Sequence, residues 1–136
     1  MEPIKLIMKN ILTTVFITAL FACGGNAQEK QAEHLLLGPA EFNEQISNAD
    51  QPQLIDVRTA GEFEAGTIEG SVNYDLLDAS FENHIPKLDK EKTVYVFCAK
   101  GGRSGQAASM LKEKGFTSVV DLKGGYTDWA TYQSQK

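Results

Sequence analysis

Cys98-Ala99-Lys100-Gly101-Gly102-Arg103-Ser104 is the stretch whose residue types and spacing point to chemistry. A cysteine is a nucleophile as its thiolate, and a thiolate needs positive potential around it. Two adjacent glycines let the backbone curl so that successive N–H groups converge, forming a nest that holds an anion. Lys100 and Arg103 bring cations to the same loop, and a helix beginning at its far end adds the partial positive charge of its amino terminus. A free cysteine is often an inert, buried apolar residue, but such a residue has no need of two glycines, two cations and a helix start. The predicted chemistry is covalent: the Cys98 thiolate attacks an electrophile, and the N–H nest holds the charge of the adduct. It needs no metal, flavin or nucleotide. His34 and His84 have no ligand spacing, so neither a metal site nor any other cofactor is expected.

The flanks fit a loop held between two elements. Thr93-Val-Tyr-Val-Phe97 is a run of β-formers bounded by charged residues, and it predicts a buried strand. After the loop, Ala107, Ala108 and Leu111 share one helical face, and Gly115 stops that helix. A cysteine at the carboxyl end of a strand sits where open α/β sheets bind ligands.

The rest of the chain supplies the elements that must position this unit. Leu35 to Leu37 predicts a first strand, and Pro39 suits the first turn of a helix through Ala40 to Ser47, with Phe42 and Ile46 facing inward. Gln53 to Val57 is a second strand, followed by a short helical piece at Glu62 to Ala65 ended by Gly66. Ser71 to Tyr74 is a third strand, Phe81 to Leu88 a weak helix interrupted by Pro86, Ser118 to Leu122 a fifth strand, and Gly125 to Tyr132 a closing helix. Strands alternating with helices predict an α/β domain with a mostly parallel sheet covered on both faces.

The loop resembles the active-site loop of the rhodanese sulfurtransferases, a cysteine followed by a short glycine-containing stretch, Arg-Ser and an Ala-rich helix. Here these are Cys98, Gly101, Arg103, Ser104, Ala107 and Ala108. Three further segments agree in order and spacing: Leu54-Ile-Asp-Val-Arg58, Glu62 to Asn73, and Gly124-Gly-Tyr-Thr-Asp-Trp129. The resemblance covers roughly residues 34 to 133 and implies a single five-stranded rhodanese-like domain. It also implies a sulfane sulfur carried from thiosulfate or a persulfide, as a Cys98 persulfide, to a thiol or cyanide-like acceptor. Many members have Gly-His-Ile where this chain has Gly66-Thr67-Ile68, so a role resting on that histidine does not transfer. The Gly-Ser-Gly-Val-Thr loop of the mercaptopyruvate-using branch is also absent.

Around Cys98, the expected substrate-binding residues are Ala99, Lys100, Gly101, Gly102, Arg103 and Ser104. Lys100 is the freer cation and suits steering of an anionic donor. Arg103 either faces the substrate or folds back onto a carboxylate, which its fork favours. Ser104 reads as a cap or loop-closing hydroxyl. Asp56 and Arg58, with Glu62, form a charged set near another strand end. They either support the substrate, or Arg58 pins the loop by pairing with Glu62 or Glu64. Tyr126 and Trp129 read as core plugs on the closing helix. Two other functions compete. Cysteine phosphatases and arsenate reductases also set a thiolate in an N–H cradle with arginine, but phosphatases place one more residue between the two, and the smaller ring here suits sulfur better than phosphate. A non-catalytic sulfur-sensing or interaction module is the other; loss of the cysteine would mark it, and Cys98 is present.

With 42% hydrophobic and 23% charged residues over 136 positions, the chain fits one globular domain plus a tail. A formal charge of −5 with no basic cluster argues against nucleic acid as a partner. Lys5 and Lys9 precede the apolar run Ile11 to Ala22, the pattern of a signal peptide over residues 1–22, too short to span permanently. It ends in Leu20-Phe21-Ala22-Cys23-Gly24, which resembles the lipobox of bacterial lipoproteins, although Phe21 is bulkier than usual there. Lipidation of Cys23 is expected, with cleavage after Gly25-Asn26-Ala27 as the alternative. Residues 23–33 then form a polar tether, and residues 34–136 the domain. The expected protein is exported to a periplasm, held by lipid and preferentially at the outer membrane, with no other membrane contact. It is expected to be a monomer. A Cys23–Cys98 disulfide would destroy the loop and is not expected.

Overall fold

The structure, a computed structural model, describes residues 32–136; the leader, Cys23 and the tether up to residue 31 lie outside the described residues. Five strands form one sheet in the order β1-β5-β4-β2-β3. They are β1 (Glu33–Leu37), β2 (Gln53–Asp56), β3 (Val72–Asn73), β4 (Val94–Phe97) and β5 (Ser118–Leu122). Every pairing is parallel, so every strand presents its carboxyl end at the same edge of the sheet. Glu33, the last residue of the expected tether, already pairs with Ser118.

The helices are α1 (Pro39–Asn48), α2 (Ala60–Glu64), α3 (Ser80–His84), α4 (Gly102–Glu113) and α5 (Gly125–Ser134). Pro86 ends the expected helix early, because its ring cannot continue the ladder: α3 stops at His84 and a 3-10 turn covers Ile85–Lys87. The two faces of β4 show how the core is divided. All four of its residues are buried, and by strand alternation Val94 and Val96 join Ala107, Ala108 and Leu111 of α4 and Phe81 of α3. Tyr95 and Phe97 face the other way, into a cluster with Phe42 of α1 and Trp129 of α5. There the Phe42 ring meets Tyr95 edge-on at 5.7 Å and Trp129 at 6.2 Å. A strand buried on both faces is anchored along its length, so the residue after Phe97 leaves the sheet at a fixed place.

Candidate active site

That residue is Cys98, itself buried and still part of the α4-side core. The chain then turns through Ala99 and Lys100 into Gly101, whose φ of +111° is open to glycine and strained for other residues. This backbone turn starts α4 at Gly102, two residues earlier than Ser104, so the helix amino terminus reaches further into the loop than the sequence pattern implies. The Gly101 N–H donates to Cys98 Sγ at 3.0 Å, and Ser104 Oγ lies 3.4 Å from the same sulfur while donating to Gly101 O at 3.2 Å. Burial pushes the Cys98 thiol up. The Ser104 hydroxyl and the backbone groups of Ser104, Gly101 and Lys100 outweigh it, and the thiol is held below its ordinary value. The loop thus favours a thiolate by dipoles that are already in place.

Behind the loop, α5 holds the carbonyls turned away from the sulfur. The Tyr126 N–H donates to Cys98 O at 2.7 Å, and Thr127 gives Ala99 O its N–H at 3.1 Å and its hydroxyl at 2.9 Å. This approach needs Gly125: a Cβ there would sit 2.5 Å from Cys98 O and 2.6 Å from the Ala99 carbonyl carbon. Gly125 was legible as part of a glycine pair in the sequence, but its contact with the cysteine was not.

The cations are distributed differently from one another. Lys100 is exposed and makes no salt bridge among the described residues. Arg103 folds back: its Nη1 and Nη2 each lie 2.8 Å from a separate oxygen of Glu62. Glu62 is aimed there by its own helix. Thr59 caps α2, accepting the Glu62 N–H at 3.3 Å, while Glu62 Oε2 accepts the Thr59 N–H at 3.0 Å and its hydroxyl at 2.9 Å. The Arg103 guanidinium, against some burial and with help from Thr59, brings the Glu62 carboxyl down to about 2.

The expected pairing of Arg58 with Glu62 or Glu64 is therefore corrected. Arg58 pairs with Asp56, through Nε at 3.0 and 3.1 Å and Nη2 at 2.6 Å, because side chains two apart at a strand end share one side. Both are buried, Nη2 also donates to Gly66 O at 2.7 Å, and the Tyr126 ring covers the guanidinium at 4.2 Å. Tyr126 is thus a half-buried lid on Arg58, whereas Trp129 is the core plug expected. Thr67, at the position where a histidine does not transfer, donates its hydroxyl to Asp56 Oδ2 at 2.8 Å. Asp56 and Arg58 brace the floor beside the loop, and neither contacts the Cys98 sulfur through a hydrogen bond.

Residues 38–132 match the family described as Rhodanese-like domain. The chain belongs to the rhodanese-like family. Among curated relatives, the uncharacterized protein YqhL of Bacillus subtilis is 40% identical over 77 residues, covering 57% of this chain and 60% of YqhL. The thiosulfate sulfurtransferase GlpE of Shewanella oneidensis is 33% identical over 85 residues, covering 62% of this chain and 82% of GlpE. The chain spans only 34% and 29% of two longer curated relatives. Of solved structures, SSP1007 of Staphylococcus saprophyticus superposes with a TM-score of 0.62 at 27% identity, over 70% of this chain and 92% of that one.

The Glu62–Arg103 clamp ties α2 to the first turn of α4, and its pH dependence has a definite sign. A carboxyl held down in the folded state contributes stability above its unfolded value, about 4.3. That contribution is lost as the pH falls toward about 2. Glu62→Gln is expected to lower the unfolding temperature at neutral pH, with the gap to wild type closing through that acid window. A gap that persists unchanged at its acid end would show that the ion pair is not what the substitution removes.

Proposed function

We propose that this rhodanese-like domain transfers a sulfane sulfur through a persulfide on Cys98. The thiolate attacks the outer sulfur of thiosulfate, the bond from Cys98 Sγ to that sulfur forms, the S–S bond of thiosulfate breaks, and sulfite leaves with the electron pair. An acceptor thiolate or cyanide then takes the terminal sulfur and the Cys98 thiolate returns. The N–H groups that favour the thiolate also favour the persulfide anion, and the exposed Lys100 draws the anionic donor to the loop. The relative named as a thiosulfate sulfurtransferase supports this class of reaction.

The observation that carries the choice is the Arg103 fork. A phosphatase needs its arginine turned onto the phosphate, whereas both terminal nitrogens of Arg103 are bound to Glu62. The test is sulfur transfer by the purified protein from thiosulfate, polysulfide, glutathione persulfide or 3-mercaptopyruvate to cyanide. Hydrolysis of an aryl phosphate with no sulfur transfer would overturn the proposal.

The same proposal places the domain outside the cytoplasm on a Cys23 lipid anchor, on the strength of Leu20-Phe21-Ala22-Cys23 and the apolar run before it. In an oxidising compartment a domain whose one cysteine is Cys98 cannot resolve itself by an internal disulfide, so the acceptor is an external thiol or small nucleophile. Labelling with a palmitate analogue is expected on wild type and not on Cys23→Ala. Unlabelled protein beginning at Gln28 and free in the periplasm would replace the anchor with a soluble exported form.

A further inference from the structure

Between β3 and α3 the chain crosses the carboxyl edge of the sheet as Asp75-Leu76-Leu77-Asp78-Ala79. This is the edge at which β4 delivers Cys98, and hydrogen bonds tie the crossing to it. The Tyr74 N–H donates to Asp56 O at 3.0 Å and the Leu76 N–H to Val57 O at 3.3 Å, while the Val57 N–H donates at 3.0 Å to the carbonyl of Phe97, the residue before Cys98. The side chains flanking the crossing reach the same place. Leu76 packs against the α4-side cluster that includes Cys98, and Phe81 belongs to it. In the first turn of α4, Arg103 feels the charges of both Cys98 and Asp75.

Leu77 lies between those two anchors and turns the other way. It is 68% exposed, the most exposed large apolar side chain among the described residues. Single exposed apolar residues are common, but this one is held in place. Asp75, itself buried, accepts the Leu77 N–H on Oδ1 at 2.8 Å, and its carbonyl accepts the Phe81 N–H at 3.0 Å. Asp78 Oδ1 accepts the Ser80 N–H at 2.9 Å, and Ala79 has a φ of +64°, a left-handed position that strains a residue with a Cβ. Strained backbone of this kind persists only where its surroundings fix it, and it gathers at functional sites. The crossing thus fixes an apolar side chain in water at the edge where the reacting sulfur sits.

We propose that Leu77 is a specificity-determining residue for the acceptor, the apolar contact for a small thiol whose carbon chain next to the sulfur is hydrophobic. The proposal rests on the sulfur-transfer reading. The exposed Lys100 and the Gly101 N–H on the sulfur suit a small anionic donor such as thiosulfate. Such an anion has no surface to set against a leucine. An alkyl thiol has, and each methylene that leaves water against apolar surface favours the complex. In the transfer, the acceptor's thiolate sulfur bonds to the outer sulfur of the Cys98 persulfide, the bond from that sulfur to Sγ breaks, and its electron pair returns to Sγ. Atoms and charge balance with no oxidant or reductant. Leu77 meets the acceptor's chain and none of the reacting atoms, so it governs which acceptor is used and not how the sulfur is loaded.

The test compares the purified wild type with Leu77→Ser and Leu77→Met, replacements at a side chain exposed enough to leave the fold intact. Each protein is loaded with thiosulfate, freed of excess donor and unloaded in a single turnover by cyanide, 2-mercaptoethanol or 6-mercapto-1-hexanol, the last two differing by four methylenes. Loss of the added sulfur from Cys98 is followed by mass spectrometry. The longer thiol is expected to unload wild type about tenfold faster than the shorter one, the scale of four methylenes partly removed from water. That contrast should shrink at least about threefold in Leu77→Ser and persist in Leu77→Met, with the cyanide rate the same in all three. A wild type with no such contrast overturns the proposal, as does a smaller change in Leu77→Ser or the same loss in Leu77→Met. A cyanide rate that falls in parallel also overturns it, because Leu77 would then only shape the loop. Alkylation of Cys98 by N-methylmaleimide and N-hexylmaleimide, read on the Cys98 peptide, needs no sulfur transfer. If wild type never loads sulfur, the proposed function fails; a preference for the hexyl reagent that Leu77→Ser loses would still support the apolar contact, and its absence would remove that as well.

Discussion

Cys98→Ser is expected to abolish sulfur transfer while leaving the domain folded. The replacement keeps an atom that can accept the Gly101 N–H, which donates to Sγ at 3.0 Å, and can meet Ser104 Oγ, now 3.4 Å from the sulfur. The site is fully buried, and a hydroxyl fills it with little change in shape, so the stability change should stay within about 1–2 kcal/mol, the ordinary range for a point substitution. What is lost is the anion. An alkoxide is far harder to form than a thiolate, and the dipoles that lower the Cys98 thiol are too few to bridge that difference. Activity should fall by at least about 10³-fold, the scale on which loss of a covalent nucleophile acts. Mass spectrometry after thiosulfate treatment should show one added sulfur on wild type and none on the variant. A variant that still transfers more than a small residue of sulfur would mean that the sulfur travels by another route.

The parts of this site that rest on local rules were legible in the chain. The β-former run before Cys98, the Ala-rich helical face after it and the glycine pair within it fix a strand, a helix and a nest, because each depends on neighbours in sequence. The parallel sheet with helices on both faces follows from the alternation of such elements, and the structure has it. The pairings of charge were not legible. Arg58 could be matched to Glu62 by proximity along the chain, yet Glu62 is turned by its own capping box toward Arg103, 41 residues away. Which carboxylate meets which cation depends on strand order, and β4 lies between β5 and β2 only once the sheet is assembled.

The other large effect expected is at Gly125, which touches no substrate. Its φ of +61° already strains any side chain, and a Cβ would lie 2.5 Å from Cys98 O and 2.6 Å from both atoms of the Ala99 carbonyl. These are backbone atoms and cannot rotate away. Either α5 backs off, giving up the Tyr126 and Thr127 donors to the two carbonyls, or the loop moves toward the sulfur. In both cases the nest around Sγ deforms by a sizeable fraction of an ångström, and displacements of about 1 Å at a reacting centre cost about 10²-fold in rate. Strain at the left-handed position adds roughly 1–2 kcal/mol and overpacking about 1–3 kcal/mol, so Gly125→Ala should lower stability as well as activity. Gly124→Ala separates the two consequences. Gly124 also has positive φ, +73°, and the atoms nearest its Cβ belong to the Asp128 side chain, whose carboxylate can change rotamer while its Cβ, at 2.9 Å, cannot, so the strain falls on the first turn of α5 and not on the Cys98 and Ala99 carbonyls. Gly124→Ala is therefore expected to be destabilised with much of its activity and its low thiol midpoint retained, whereas Gly125→Ala should lose activity and shift the Cys98 midpoint upward. Equal losses in the two variants would place the effect in the start of α5 as a whole and not in its contact with the cysteine loop.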